Sequence, residues 1–126
     1  AAVVSPEPPV ELSFNLMVEY QTALDVTFAA LSHPVRREML DDLRDGPMRV
    51  TDLAEPFTVS LAASSKHIRV LEHAGLVSRT VSGRDHVLAL QGAPLGDAGR
   101  WINVYRRFWE GRFDALDAQL RARTRR

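Results

Sequence analysis

Apolar positions along the chain change period several times, and each change marks an element. Tyr20, Leu24, Phe28 and Leu31 recur at helical spacing, which predicts a first helix over 16–31. The Ser32-His33-Pro34 break follows, and proline suits the first position of a new helix. That second helix runs to about residue 45 with Val35, Met39 and Leu43 inward, and Gly46-Pro47 stops it. Thr51 is a candidate N-cap for a short third helix ending near Phe57, with Asp52 favourable in its first turn. Ser60 is the next N-cap candidate, opening a fourth helix over about 60–74 that Gly75 terminates. Two β-rich runs follow at 76–81 and 86–90, separated by the turn-prone Ser82-Gly83-Arg84-Asp85. Gly92, Pro94 and Gly96 mark the exit into one long helical pattern over 94–123.

The order is helix, helix, short helix, helix, hairpin, long helix. Two helices joined by a short turn and followed by a hairpin give a winged helix-turn-helix, mainly α with a β-hairpin wing. In that layout the second helix of the pair enters the major groove of DNA. The expected organisation is a flexible N-terminal arm at 1–15, carrying Pro6, Pro8 and Pro9, and one domain at 16–123.

Winding the fourth helix at about 100° per residue separates two faces. Leu61, Ser64, Ile68, Leu71 and Gly75 form the packing face. Ala62, Lys66, Arg69 and His73 lie opposite, with Ser65 and His67 on the flanks. Small residues permit close approach to base edges, and Lys, Arg and Ser can donate to bases or phosphates. A plain amphipathic helix with a solvated basic face is the competing reading of the same pattern. Arg84 beside Gly83 puts a cation on the wing tip, suited to a minor groove or a phosphate, and Arg79 lies in the strand before it. The candidate DNA-contacting set is therefore Thr51, Ser60, Ala62, Ser65, Lys66, His67, Arg69, Arg79 and Arg84.

On the last helix, Ile102, Tyr105, Trp109, Phe113, Leu116 and Leu120 step by three or four, and Trp101 and Phe108 widen the stripe. A lone winged helix need not bury so much there. The expectation is a homodimer through the first and last helices, with Leu24, Phe28, Trp101, Ile102, Tyr105, Trp109, Phe113 and Leu116 at the interface. Packing within one chain is the alternative. The stripe could also take a small apolar ligand, but the sequence shows no pocket and leaves any effector unassigned.

Composition sharpens the picture in two places. The 126 residues, 45% hydrophobic and 25% charged, describe an ordinary globular domain. The chain contains no cysteine, which excludes disulfides, thiolate metal sites and cysteine nucleophiles and fits a reducing cytoplasm. No stretch approaches a membrane span, and the N-terminus does not read as a secretory signal. The formal net charge is zero, but residues 1–59 hold four basic and ten acidic side chains, whereas 91–126 hold eight basic and four acidic. A basic C-terminal half on a neutral chain is compatible with local contact to a polyanion.

Residues 27–91 resemble the ArsR family of small winged-helix repressors. The segments AALSHPVRR at 29–37, VTDLAEPF at 50–57 and SKHIRVLEHAGLV at 65–77 carry the likeness, and YRRFWE at 105–110 resembles the last helix of a branch that does not sense metals. The resemblance implies dimeric binding to operator DNA and repression. Two departures fall in the groove-entering helix: Ala62 where that branch often has proline, and Ser64 where it often has an apolar residue. Metal-sensing members, by the same resemblance, use cysteines in the helix corresponding to Val50-Thr51-Asp52-Leu53, or Asp and His pairs on the last helix. The chain has no cysteine, and 92–126 contains no histidine, so neither site is expected and no cofactor is assigned. His33, His67, His73 and His86 read as scattered, and no nucleophile-elbow, phosphate-loop or metal-hydrolase motif points to an enzyme. A winged helix used only for protein contacts is the remaining rival, against which Lys66, Arg69 and Arg84 argue.

Overall fold

The computed structural model describes residues 10–124. Helix α1 spans Val10–Leu31 and α2 spans Pro34–Asp42, followed by a 3-10 turn at Leu43–Asp45. Strand β1 is Met48–Arg49, α3 is Val50–Ala54, and α4 is Leu61–His73. The hairpin is β2, Val77–Ser82, and β3, Asp85–Leu90, and α5 runs Ala93–Thr124. The expected order and wing are present. Helix α1 starts six residues before its expected start at 16, so 10–15 are helical rather than part of an arm, and residues 1–9 lie outside the described residues. The short strand β1 was not expected. Two residues cannot show a period, and they become a strand only by pairing Met48 with Leu88 and Arg49 with Val87, giving the antiparallel order β1-β3-β2.

Local chemistry explains most boundaries. His33 is the N-cap of α2, its ring nitrogen accepting from the Val35 N–H at 3.1 Å, with Pro34 next in line. Ser60 caps α4, its hydroxyl accepting from the Ala63 N–H at 3.1 Å. At the other end of α4, Gly75 takes φ +73°, its N–H donates to the Glu72 carbonyl, and the Leu76 N–H donates to the Leu71 carbonyl at 3.0 Å. This paired capping closes the helix and turns the chain directly into β2. Gly83 opens the two-residue wing turn at φ +61°, a value type II′ hairpin turns require there and other residues resist. Thr51 is not the cap of α3, because the helix starts one residue earlier: Arg49 is the cap residue, without a side-chain bond, and Thr51 sits in the first turn. Helix α3 also ends at Ala54, before Pro56, rather than near Phe57.

The core gathers one or two side chains from each element around α4. Met39, Leu43, Leu53, Ile68, Leu71, Leu76 and Leu88 are fully enclosed, with Ala30, Leu40 and Val77 beside them. The predicted inner face of α4 is correct for Ser64, Ile68 and Leu71. It is wrong for Leu61, the first residue of the helix, and for Gly75, which lies past its end; both are exposed. On α5 only Ala98 is buried among the described residues, and every residue from 101 to 124 is exposed, as is every one from 11 to 23 on α1.

The hydroxyl of Ser64 is enclosed at 0% exposure without a hydrogen-bond partner. Such a group costs about 1–3 kcal/mol in desolvation. Ser64→Ala keeps the small volume and improves helix propensity, so it should stabilise the fold by about 1 kcal/mol. Urea unfolding followed by circular dichroism measures this, and a lowered midpoint would show that the hydroxyl contributes in the native state.

Candidate nucleic-acid interface

Helix α4 is held by its buried stripe and by caps at both ends, so its outer face is presented at a fixed angle. Ala62, Lys66, Arg69 and His73 are exposed on that face and Ser65 is half-buried at its edge, as the helical period predicts. Their positions follow from Ile68 and Leu71 pointing inward: a residue two before or five after Ile68 must then point outward. Arg69 lies on the side facing α1 and, with Val70 and His73, lines a shallow trough shared with Val26, Ala29 and Ala30 of α1 and Arg36 of α2. Lys66 is clear of that trough. Ser60, at the N-terminal tip, is exposed while its hydroxyl caps the helix.

Two candidates are engaged within the protein. The ring of His67 does not face outward. Its Nδ1 lies 3.2 Å from Arg36 Nη1, and its ring centroid lies 4.3 Å from that of His33, so the flank it occupies is the one packed on α2. Burial first, then His33 and Arg36, hold its pKa below the ordinary histidine value. Arg79 is not a free cation either. The register pairs Arg79 with the buried Leu88, and residues paired across a sheet share a face, so Arg79 lies on the core side. Its Nη2 and Nε donate to the two carboxylate oxygens of Glu72 on α4, at 2.6 and 3.2 Å, and Nη1 lies 3.0 Å from His86 Nδ1. Donating to the Glu72 carboxylate raises the Arg79 pKa above the ordinary arginine value. Arg79 thus fastens the wing to α4.

The hollow beside the wing holds a residue that sequence reasoning missed. Arg49, Thr51, Arg79, Arg84 and His86 line a recess of about 200 Å³ with Asp85. Arg49 enters it because β1 pairs with β3, and its guanidinium sits 4.0 Å from the Asp85 carboxylate, with both side chains exposed. No local pattern marks Arg49. Its place follows from a strand pairing some forty residues away in sequence, and that pairing also sets Thr51 beside the wing.

Of the residues expected at a subunit interface, Leu24 is buried within the chain at 4% exposure and is therefore not available to a partner. Phe28 is half-buried and meets Trp101 edge-on, ring centroids 5.7 Å apart. These two fasten α1 to the N-terminal third of α5. Trp101, Ile102, Tyr105, Trp109, Phe113 and Leu116 remain exposed along α5. They stack on one another, Trp101 on Tyr105 at 5.0 Å and Trp109 on Phe113 at 6.1 Å.

The known proteins that this chain resembles share its architecture. The helix-turn-helix domain family matches residues 31–80, which run from the end of α1 into β2. The chain is 35% identical over 75 residues to the transcriptional repressor SdpR of Bacillus subtilis, covering 60% of this chain and 83% of SdpR. It is 44% identical over 64 residues to the HTH-type transcriptional regulator NmtR of Mycobacterium tuberculosis, covering 51% of this chain and 53% of NmtR. Among solved structures, the ArsR family transcriptional regulator RHA00566 superimposes with a TM-score of 0.67 at 34% identity, over 72% of this chain and 94% of that one. An ArsR-like transcriptional regulator from Rhodococcus sp. RHA1 gives 0.60 at 31% identity, over 76% and 91%. With a capped helix presenting small and cationic residues, a wing fastened to it, and relatives alike across most of their length, the chain belongs to the ArsR family of winged-helix, DNA-binding transcriptional regulators.

Proposed function

We propose that the protein is a homodimeric repressor that reads an inverted-repeat operator with one α4 per half-site. The observation that carries this reading is the exposed outer face of α4, where Ala62 and Lys66 stand clear of the core with Ser65 half-buried at the edge, on a helix capped at both ends. Thr51, Arg49 and Arg84 beside the wing supply cations and a hydroxyl for the phosphate backbone or minor groove, contacts that position without reading sequence. Repression rather than activation is supported by the likeness to SdpR, a transcriptional repressor. The protein acts in the cytoplasm and is not an enzyme.

The dimer is supported by two long helices that the chain leaves uncovered. Trp109 and Phe113 are 52% and 63% exposed, and Phe14, Met17 and Tyr20 on α1 are also open. An apolar surface of that extent on a folded protein marks a contact site. A second copy places the same stripe against it under two-fold symmetry and sets two α4 helices about one turn of DNA apart. Tethering makes the second half-site contact intramolecular, raising affinity without new base contacts.

Selection of bound sequences from random duplex DNA, followed by footprinting, gives the operator. Binding to the selected duplex should weaken steeply with salt. Lys66→Ala and Arg69→Ala should each cost about 1–3 kcal/mol where they read bases, whereas Arg84→Ala should lower affinity evenly across sequences. Gel shifts that leave all three variants equal to the parent refute the assignment of α4 to the groove. Trp109→Ala combined with Phe113→Ala removes anchors worth roughly 3–5 kcal/mol each when fully buried. Sedimentation should then show a monomer, and operator affinity should fall although no DNA-facing residue has changed. A parent that is monomeric at micromolar concentration contradicts the dimer. Because the sequence has no cysteine and no histidine beyond residue 91, stoichiometric Zn²⁺ should alter neither stability nor operator affinity. A saturable calorimetric isotherm of one ion per subunit with a change in affinity overturns that expectation.

A further inference from the structure

The Arg36 guanidinium joins three helices. From the first turns of α2, its Nε donates to the Ala30 carbonyl at 2.7 Å and its Nη2 to the Ala29 carbonyl at 3.0 Å. Both carbonyls belong to the last turn of α1; that of Ala29 also accepts from the Ser32 N–H at 3.2 Å and the Ser32 hydroxyl at 2.6 Å. Nη1 meets Nδ1 of His67 on α4 at 3.2 Å. A guanidinium only donates, so His67 Nδ1 must be the lone-pair nitrogen and the ring the neutral tautomer with its proton on Nε2. The His67 ring leans on His33, whose own Nδ1 accepts the Val35 N–H that begins α2.

The titratable and charged groups that face His67 are His33, from the turn between α1 and α2, and Arg36, from α2. Lys66 precedes it on α4, and among the described residues no carboxylate pairs with it. A proton on Nδ1 removes the acceptor that Arg36 uses and sets one cation against another.

We propose that Arg36 and His67 are positioning residues for DNA binding: the Arg36 fork seats α4 against the end of α1, and protonation of His67 breaks this tie and loosens the seating of the recognition face. The proposal rests on α4 being the helix that enters the groove. Its sign separates it from direct contact. A histidinium touching DNA adds positive charge against phosphate and tightens binding as pH falls. A histidinium pressed on Arg36 weakens it.

The experiment follows fluorescence anisotropy of the selected duplex at constant ionic strength from about pH 8 to about pH 5.5. The full chain is compared with His67→Gln, which can present an acceptor oxygen to Arg36 and does not titrate, and with Arg36→Lys, which keeps the charge and loses the planar fork. Each protein is normalised to its own affinity at the alkaline end. His33, His73 and His86 are common to all three proteins, so the ratio removes what they share. The parent should lose roughly threefold to tenfold relative to His67→Gln on acidification, the scale of one hydrogen bond. Arg36→Lys should bind more weakly than the parent at the alkaline end and show a smaller acid loss. A parent that gains affinity relative to His67→Gln, a flat ratio, or an Arg36→Lys variant identical to the parent overturns the proposal.

Thermal melts check the fold and carry their own sign. The folded pKa of His67 is lowered, so its contribution to stability is present above the ordinary histidine value and is lost as pH falls through that value and then the folded one. The parent's melting temperature should therefore fall more than that of His67→Gln. If selection yields no bound duplex, the DNA reading fails by itself. The tie is then read without DNA: backbone amides of Ala30 and Leu31 should follow the His67 titration by NMR in the parent and not in Arg36→Lys. Amides that ignore it refute the tie.

Discussion

Ile68 and Leu71 have to be buried, and that single requirement orients the outer face of α4, the face proposed to meet DNA. They sit at 0% exposure among Met39, Leu53, Leu76 and Leu88, so they draw on α2, α3, the α4–β2 turn and the hairpin at once. With their direction fixed, the 3.6-residue period fixes Ala62, Lys66 and Arg69 outward. A protein of this size has few fully buried side chains to lose, and each is shared between elements. A loss at Ile68 would therefore change both stability and the angle of the outer face of α4. The links around this knot point the same way: the capped turn at Gly75, the bidentate pair of Arg79 with Glu72, and the Arg36 fork each fix α4 to a different neighbour.

The arginines divide by what surrounds them. Arg36 and Arg79 have their donors occupied by carbonyls, carboxylate oxygens or ring nitrogens and act as fasteners. Arg49 and Arg84 stand at the rim of the wing recess, and Arg49 has only a distant carboxylate beside it. An exposed ion pair of that length contributes little, so a phosphate can displace Asp85 at small cost. Counting positive charges along the sequence cannot make this division. Acceptors supplied by other elements make it.

Periodicity carried the fold well wherever one element's own pattern decided its fate. The α4 stripe, the Ser60 cap, the Gly75 stop, the hairpin and the long last helix were legible because each depends on residues within a turn or two. What was not legible depends on distant partners. The strand Met48–Arg49 exists through Val87 and Leu88, so Arg49 was missed and Thr51 was assigned a cap it does not form. His67 sits on the flank of the helical wheel, and only the packing of α2 decides that it turns inward. Arg79 is a candidate DNA contact in the sequence, and only the register with Leu88 and the nearness of Glu72 make it a fastener. Leu24 and Phe28 share one stripe with Tyr20, but the first is buried, the second half-buried and the third exposed, because α5 crosses α1 over only part of its length.

That crossing links the two halves of the molecule. The helices α1 and α5, whose uncovered stripes support the proposed dimer, touch each other through Phe28 and Trp101. Three residues past Phe28, α1 ends, and the carbonyls of Ala29 and Ala30 are held by Arg36, which also reaches α4. A small rotation of α1 against α5 therefore moves the acceptors on which the Arg36 fork is fixed. A planar group with three fixed bonds tolerates little displacement before one lengthens past usefulness. The bond to His67 is the longest of the three at 3.2 Å and joins two side chains rather than a side chain and a helix end, so it is the one to yield first. The end of α1, the start of α2 and the middle of α4 are thus joined through the same few atoms that a proton on His67 would disturb.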